Sequence, residues 1–312
     1  MNPNFLFIGG TNRGYRVLTA LLLQGYLPKK CFILKEDDHE DVKVAEEISL
    51  MCKKHNIDCS IRKKLLDEDD KYIMANQFDF AVVCGWRTII NPKLIKNFGL
   101  GLIAAHDSLL PKYRGFAPIN WCIINGEKKT GVTLFLIDEG EVDSGPVISQ
   151  REIVIKPDEY AIDVYEKVTN TTIELYTEFF STIASGAKVI LKVQDEQEAS
   201  YTCKRTPTDG KIDWNEKSDI IINLIRGIAH PYPGAYCYFN STMYHIRKAV
   251  LGKSNMKNYS GRIPGRVINI SGDGIEVLCG QGSVLIQEWE DKKGNNICIP
   301  SENIKSITAT LS

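Results

Sequence analysis

The feature that most constrains this chain is an alternation in its first 106 residues. Short continuous apolar runs take turns with longer segments whose apolar residues recur at helical spacing. "NFLFIGG" (4–10), "KKCFILKE" (29–36), "DFAVVCGW" (79–86) and "GLIAAH" (101–106) read as strands. "GYRVLTALLLQGY" (14–26) and "VKVAEEISLMCKKHNI" (42–57) read as helices. Strand and helix in turn predict an α/β domain with a mostly parallel sheet. Strands that are apolar throughout, rather than at every second residue, predict a sheet covered on both faces.

Two further strands follow, "TGVTLFLID" (130–138) and "GPVISQREIVI" (145–155). A long helix is predicted over 158–186, then a strand and the polar link "QDEQEAS" within 188–202. Past residue 203 the texture changes to short β runs separated by glycines and Asp-Gly pairs, among them "MYHIRKAVL", "GRVINI", "GIEVLCG" and "GSVLIQEWE". That pattern predicts a small, mostly-β barrel of the OB type. The chain is thus divided into a first domain over 1–202 and a second over 203–312. Trp214, Tyr232, Tyr236 and Tyr238 are read as core residues of the second, ahead of interface anchors.

Charge and cysteine usage exclude some roles. The 312 residues carry a formal net charge of −1, which argues against a protein built mainly to hold nucleic acid. None of the nine cysteines is paired at C-x-x-C spacing, so no structural zinc site is expected. Scattered cysteines without an export signal read as reduced thiols in the cytoplasm. No run approaches the roughly 18 apolar residues of a membrane span, and a soluble protein with no membrane attachment is expected.

Three stretches carry candidate chemistry. "GGTNRG" (9–14) is a glycine-rich turn before a helix. Gly10, Asn12 and Arg13 are candidates there for a substrate phosphate, although the spacing lacks the dinucleotide fingerprint and the Walker lysine. His106 ends a strand, where ligands bind in open α/β sheets. Asp143 lies in the glycine-punctuated acidic loop "DEGEVDSG" (138–145). A histidine suits chemistry that takes a proton from an attacking amine and returns one to a leaving nitrogen, and a carboxylate orients it. "KYRGFAPINW" (112–121) offers Lys112, Tyr113 and Arg114 as a clamp for an anionic or sugar substrate, with Arg114 as the bidentate phosphate reader.

His106 followed by "SLLPKYRG", then "INGEKKTGVTLFLIDEGEVDSG", resembles the core of the 10-formyltetrahydrofolate-dependent formyltransferases. "DGKIDWNEKSDIIINLIRGIAHPYPGAY" (209–236) resembles the C-terminal domain shared by methionyl-tRNA formyltransferases and some sugar-nucleotide N-formyltransferases. The resemblance implies a Rossmann-like formyltransferase domain and a formyl donor, 10-formyltetrahydrofolate, with no metal. It implies a catalytic triad of Asn, His and Asp. The His falls on His106 and the Asp on Asp143. The Asn falls on Ala104, so one member is absent. In the family that amide steadies the oxyanion formed when the amine attacks, and losing one such donor costs about 10²–10³ in rate. An engineered inactive form, a different donor, and a loss of activity all remain open. The acidic loop also has one residue more than the family spacing D-x-G-x-D-x-G.

By the same resemblance the pteridine lies against "CGWRTII" (84–90), lined by Trp86, Arg87, Thr88 and Ile90, opposite Ile137, Asp138 and Glu139. The expected acceptor is a nucleotide-linked amino sugar. "LKEDDHEDVK" (34–43) is acidic where tRNA-acting members have a basic loop, and repels tRNA. Methionyl-tRNA is the alternative, helped by basic residues in the second domain (Arg247, Lys248, Lys253, Lys257, Arg262, Arg266). A disabled folate or sugar-nucleotide binder and a formyl-folate hydrolase complete the readings. Many relatives pair as homodimers through the second domain.

Overall fold

The computed structural model describes residues 3–37, 43–254, 256–291 and 297–312. Residues 38–42, half of the acidic stretch 34–43 and the start of the helix expected at 42, lie outside them. The chain divides into two compact units, one of Met1–Gly115, Gly131–Ile153 and Lys167–Tyr201, the other of Phe116–Thr130, Val154–Glu166 and Thr202–Ser312. The last crossing, at Tyr201/Thr202, falls beside the expected boundary. Two earlier segments cluster with the second unit, which a linear division could not anticipate.

The first unit begins with β1 (Phe5–Gly9), α1 (Thr11–Leu23), β2 (Lys30–Leu34), α2 (Ala45–Lys54), β3 (Asp58–Arg62), α3 (Asp67–Met74), β4 (Phe78–Cys84) and β5 (Phe98–His106). After β5 the chain runs through a two-residue β6 (Arg114–Gly115), α4 (Pro118–Ile124), which belongs to the second unit, β7 (Lys129–Ile137), β8 (Val147–Val154), α5 (Ala161–Ala184), whose first residues also belong there, and a two-residue β9 (Tyr201–Thr202). The seven-stranded sheet runs β3-β2-β1-β4-β5-β7-β8. Its β1–β2, β1–β4, β2–β3 and β4–β5 ladders are parallel. The β5–β7 ladder is antiparallel and pairs His106 with Thr133. β3 and α3 were not expected. "DCSIR" lacks the apolar run that marks the other strands, and "DEDDKYIM" is too polar to show a helical stripe.

α5 explains why the strand ends are fixed. Its buried residues Val168, Leu175, Tyr176, Phe179 and Phe180 fall on one helical stripe. Phe180 meets Phe5 and Phe80 edge-on, with ring centroids 4.8 and 5.3 Å away. Each such ring, fully buried, contributes roughly 1.5–3 kcal/mol. The buried Tyr176 hydroxyl lies 3.1 Å from the carbonyls of both Val83 and Ile103. It thereby anchors β4 and β5 just before the ends where the candidate site begins.

The second unit carries α6 (Ser218–Gly227) and an antiparallel sheet of β10 (Ala235–Phe239), β11 (Thr242–Leu251), β12 (Val267–Ser271), β13 (Gly274–Leu278), β14 (Ser283–Asp291) and β15 (Ile297–Cys298). The order is β10-β11-β14-β13-β12, with β15 on β14. The chain end bridges the two edges: Val267 donates to the Ala309 carbonyl, and Tyr238 and Ser312 exchange backbone hydrogen bonds. Closure therefore runs through the last four residues, not through a direct β10–β12 ladder. Trp214, Tyr236 and Trp289 are buried, and Ile221, Ile222 and Ile225 of α6 join Trp214 and Trp289 in one core. No helix among the described residues is long and apolar enough to cross a membrane.

Candidate active site

Alternation along β5 places Leu102, Ala104 and His106 on one face of the sheet. Ala104 is buried in an apolar cluster with Val83, Ile90, Leu110 and Phe135, against which Trp86 and Ile137 pack. His106, also buried, closes the strand. Its Nε2 lies 2.8 Å from the main-chain carbonyl of Tyr113. Its Nδ1 lies 3.4 Å from Asp143 Oδ2. The same Oδ2 accepts the Gly115 amide at 2.9 Å. Both ring nitrogens thus face acceptors. A neutral imidazole has one N–H and satisfies only one of them.

Local backbone shape produces this arrangement. Tyr113 (φ 60°) and Asp143 (φ 57°) both sit in the left-handed region. Asp tolerates it better than most residues; for Tyr113 it is a strained turn held by its surroundings. The turn after His106 is pinned from inside. The Ser108 hydroxyl donates to the Lys112 carbonyl, and the Thr133 hydroxyl donates to the Ser108 carbonyl while accepting from Leu110. Gln150 Nε2 donates to the Leu110 carbonyl and to Thr133. Every one of these donors is already used within the protein.

Arg114, expected as the bidentate phosphate reader, turns its guanidinium into the protein. Its residue is fully buried. Nε and Nη2 donate to Gln194 Oε1, and Nη1 and Nη2 to the two oxygens of Glu196, at 2.7–3.1 Å. Nη1 also donates to the Tyr201 hydroxyl. The fork geometry that suits phosphate is spent on the protein's own carboxylate. Gln194 passes the constraint on: its Nε2 donates to the carbonyls of Asp143 and Gly145. Arg114 therefore positions the Asp143 loop. Sequence reasoning missed Gln194 and Glu196 because "QDEQEAS" has the composition of a solvated link; burial at one glutamine leaves no sequence signal. Arg114→Met is expected to lower unfolding free energy by about 1–3 kcal/mol, because the buried Gln194 carbonyl loses its donor. Urea unfolding monitored by circular dichroism checks it, and an unchanged midpoint contradicts it.

The other candidates are distributed as follows. Arg13 is ion-paired with Asp107, the neighbour of His106, and its Nε donates to Thr169, so it is not open to a phosphate as expected. Gly10 owes its identity to packing: a Cβ there would lie 2.7 Å from Leu34 Cβ, and one on Gly85 (φ +71°) would lie 2.2 Å from the Gly10 carbonyl. Asn12 is half-buried in the first turn of α1, and the Lys112 side chain is exposed. Arg87 and Thr88 are exposed, while Ile90 is buried. Asp138 accepts from the Gly140 amide and the Ser144 hydroxyl and so caps the turn of its own loop. Glu139 is exposed. Cys84, at the end of β4, has its thiol pushed up to about 12 by burial, so it is no thiolate nucleophile. Gly145→Ala is expected to abolish the loop geometry, since a Cβ would sit 1.8 Å from the Leu136 carbonyl. The nuclear magnetic resonance shift of the Gly115 amide, bonded to Asp143, reports it.

No cluster of three His, Cys, Asp or Glu able to hold a metal occurs among the described residues. One buried polar atom in the wall does ask for a ligand. The Trp86 indole N–H is buried and has no acceptor among the described residues.

Residues 28–179 match the family model for formyl transferase, and residues 204–303 match the one for the formyl transferase C-terminal domain. The chain belongs to the formyl transferase family. It is thereby an enzyme of formyl-group transfer to amines. The chain is 38% identical over 214 residues to the methionyl-tRNA formyltransferase of Caldanaerobacter subterraneus subsp. tengcongensis, a match covering 69% of this chain and 67% of that protein. Its fold resembles the N-formyltransferase from Helicobacter canadensis, solved with folinic acid and dTDP-3-aminofucose. That likeness has a TM-score of 0.70 at 20% identity, over 91% of this chain and 99% of that one. WlaRD, a sugar 3N-formyl transferase solved with dTDP and 5-N-formyl-THF, gives 0.69 at 22% identity, over 92% and 98%.

Proposed function

We propose that this transferase moves a formyl group from 10-formyltetrahydrofolate to a primary amine, and that the amine belongs to a nucleotide-linked sugar. The observation that carries the reading is His106 at the end of β5, set between the Tyr113 carbonyl and the Asp143 carboxylate. His106 takes the proton that the attacking amine loses and returns one to the leaving nitrogen. Asp143 holds the ring and supports its charged form. Because both ring nitrogens face protein acceptors and Asp143 keeps its own, the Tyr113 carbonyl contact is the one that opens when the amine arrives.

The donor fits the wall beside His106. Trp86, Ile90 and Ile137 supply an apolar face, and the unpartnered Trp86 N–H supplies a donor for a ring acceptor. The bound folate supplies an activated formyl group. Ala104 leaves the developing negative charge short of one amide, the donors of the turn after His106 are already engaged, and the Trp86 N–H is assigned to the folate ring. The proposed enzyme is therefore a slow transferase, not a fast one with a hidden replacement.

The sugar-nucleotide acceptor is supported by the absence of a basic excess and by the ligands of the two structural relatives. The methionyl-tRNA reading is favoured by one observation, the 38% identity to a tRNA-acting relative. One experiment separates them. Tetrahydrofolate release is followed with dTDP-, UDP- and GDP-linked amino sugars, and with methionyl initiator tRNA at two salt concentrations. Turnover with a sugar nucleotide and none with tRNA supports the proposal. Turnover with tRNA that falls steeply with salt replaces the sugar reading.

A further inference from the structure

A cavity of about 690 Å³ lies in the second unit, within the size range of small-molecule sites. Its wall is made by an irregularity in the sheet. The β11–β14 register shifts on both sides of Lys248, which leaves Arg247 outside the ladder. The consequence is visible in burial. Ile246 and Ala249 are both in the core although three residues apart, a spacing that puts residues of a regular strand on opposite faces. The bulge therefore turns two consecutive side chains, Arg247 and Lys248, to the same outer face, where both line the cavity. Tyr160 fastens the bulge: its hydroxyl accepts from the Ala249 amide at 3.3 Å and lies 3.4 Å from the Ala249 carbonyl. Tyr160 is itself part of the lining.

The charges on this wall are of both signs. Arg247 is ion-paired with the buried Glu290, and its Nη1 is buried with no acceptor among the described residues. Lys248 is opposite Glu288 in the ladder, and Asp163 stands on the rim. Two cations thus face three carboxylates. A simple anion is repelled by the excess carboxylate, and a simple cation leaves Lys248 and the open Arg247 nitrogen without an acceptor. A molecule carrying both charges is matched by both. The rest of the lining is His230 and an apolar set, Ile162, Ala229 and Ile297.

We propose that this cavity binds a zwitterion of the α-amino-acid class with a large apolar side chain. Its carboxylate meets Lys248 and Arg247, its ammonium meets Glu288 and Asp163, and its side chain lies on the apolar floor. The proposal does not depend on the formyl-transfer reading, since none of these residues belongs to the His106 site.

The test uses the full chain and calorimetric titration with four probes: L-phenylalanine, L-leucine, N-acetyl-L-phenylalanine and L-phenylalaninamide. The two amino acids are expected to bind. Removing either charge is expected to weaken binding roughly tenfold or more, as for a lost hydrogen bond to a charged group. Lys248→Met is expected to weaken phenylalanine roughly tenfold while leaving phenylalaninamide unchanged. Glu288→Gln is expected to weaken phenylalanine while leaving N-acetylphenylalanine unchanged. Lys248 is exposed and Glu288 half-buried, so both variants are expected to fold, which their melting temperatures check. The proposal is overturned if no amino acid binds, if N-acetylphenylalanine binds as tightly as phenylalanine, or if neither substitution changes affinity.

Discussion

His106→Ala is expected to lower the rate of formyl transfer by roughly 10²–10⁴, the usual worth of a positioned acid–base group. The fold should survive. The ring is buried, but its polar contacts are one carbonyl and one carboxylate at a strand end, and Asp143 keeps the Gly115 amide. The loss should fall on kcat with little change in KM for the donor, because the wall formed by Trp86, Ile90 and Ile137 is untouched. Steady-state kinetics beside a melting curve makes the distinction. A variant that folds normally and still turns over would remove His106 from the chemistry.

The second large effect runs the other way. Ala104→Asn is expected to raise the rate by about 10²–10³, the worth of one preorganised donor to a developing oxyanion. The structure gives two reasons. Ala104 shares its face of β5 with His106, so an amide there projects beside the ring. The nearby donors from Ser108, Thr133, Gly115 and Gln150 all serve protein acceptors. The substitution also brings a polar group into the apolar cluster around Val83 and Phe135, so stability should fall by roughly 1–3 kcal/mol. A gain in rate with a loss in stability is the signature expected. An unchanged rate means that another donor already serves.

Much of this was legible in the sequence, for identifiable reasons. Continuous apolar runs located β1, β2, β4 and β5, because a doubly covered strand has no polar face to hide its pattern. β3 was missed because its side chains are only half-buried. His106 and Asp143 were found as a pair, since a strand-end histidine and a glycine-punctuated acidic loop are both local signals. Arg114 was misread. "KYRG" beside a histidine looks like an anion clamp, and only the fold brings Gln194 and Glu196, some eighty residues away, onto its guanidinium. Arg13 was misread for the same reason, with Asp107 as its partner. The Tyr113 carbonyl was invisible because main-chain contacts depend on backbone angles, not on side-chain identity. Ala104 shows the opposite case: the position was found through the family pattern, but what its absent amide means is a question of neighbouring donors.

Amine formylation run by His106 is tested by tetrahydrofolate formation from 10-formyltetrahydrofolate in the Ala104→Asn background, measured against amino-sugar nucleotide concentration, with and without His106→Ala. Release is expected to require the amine, to match N-formylated product one for one, and to collapse without His106. Release that proceeds without any amine, or that persists undiminished in the His106→Ala protein, would contradict it.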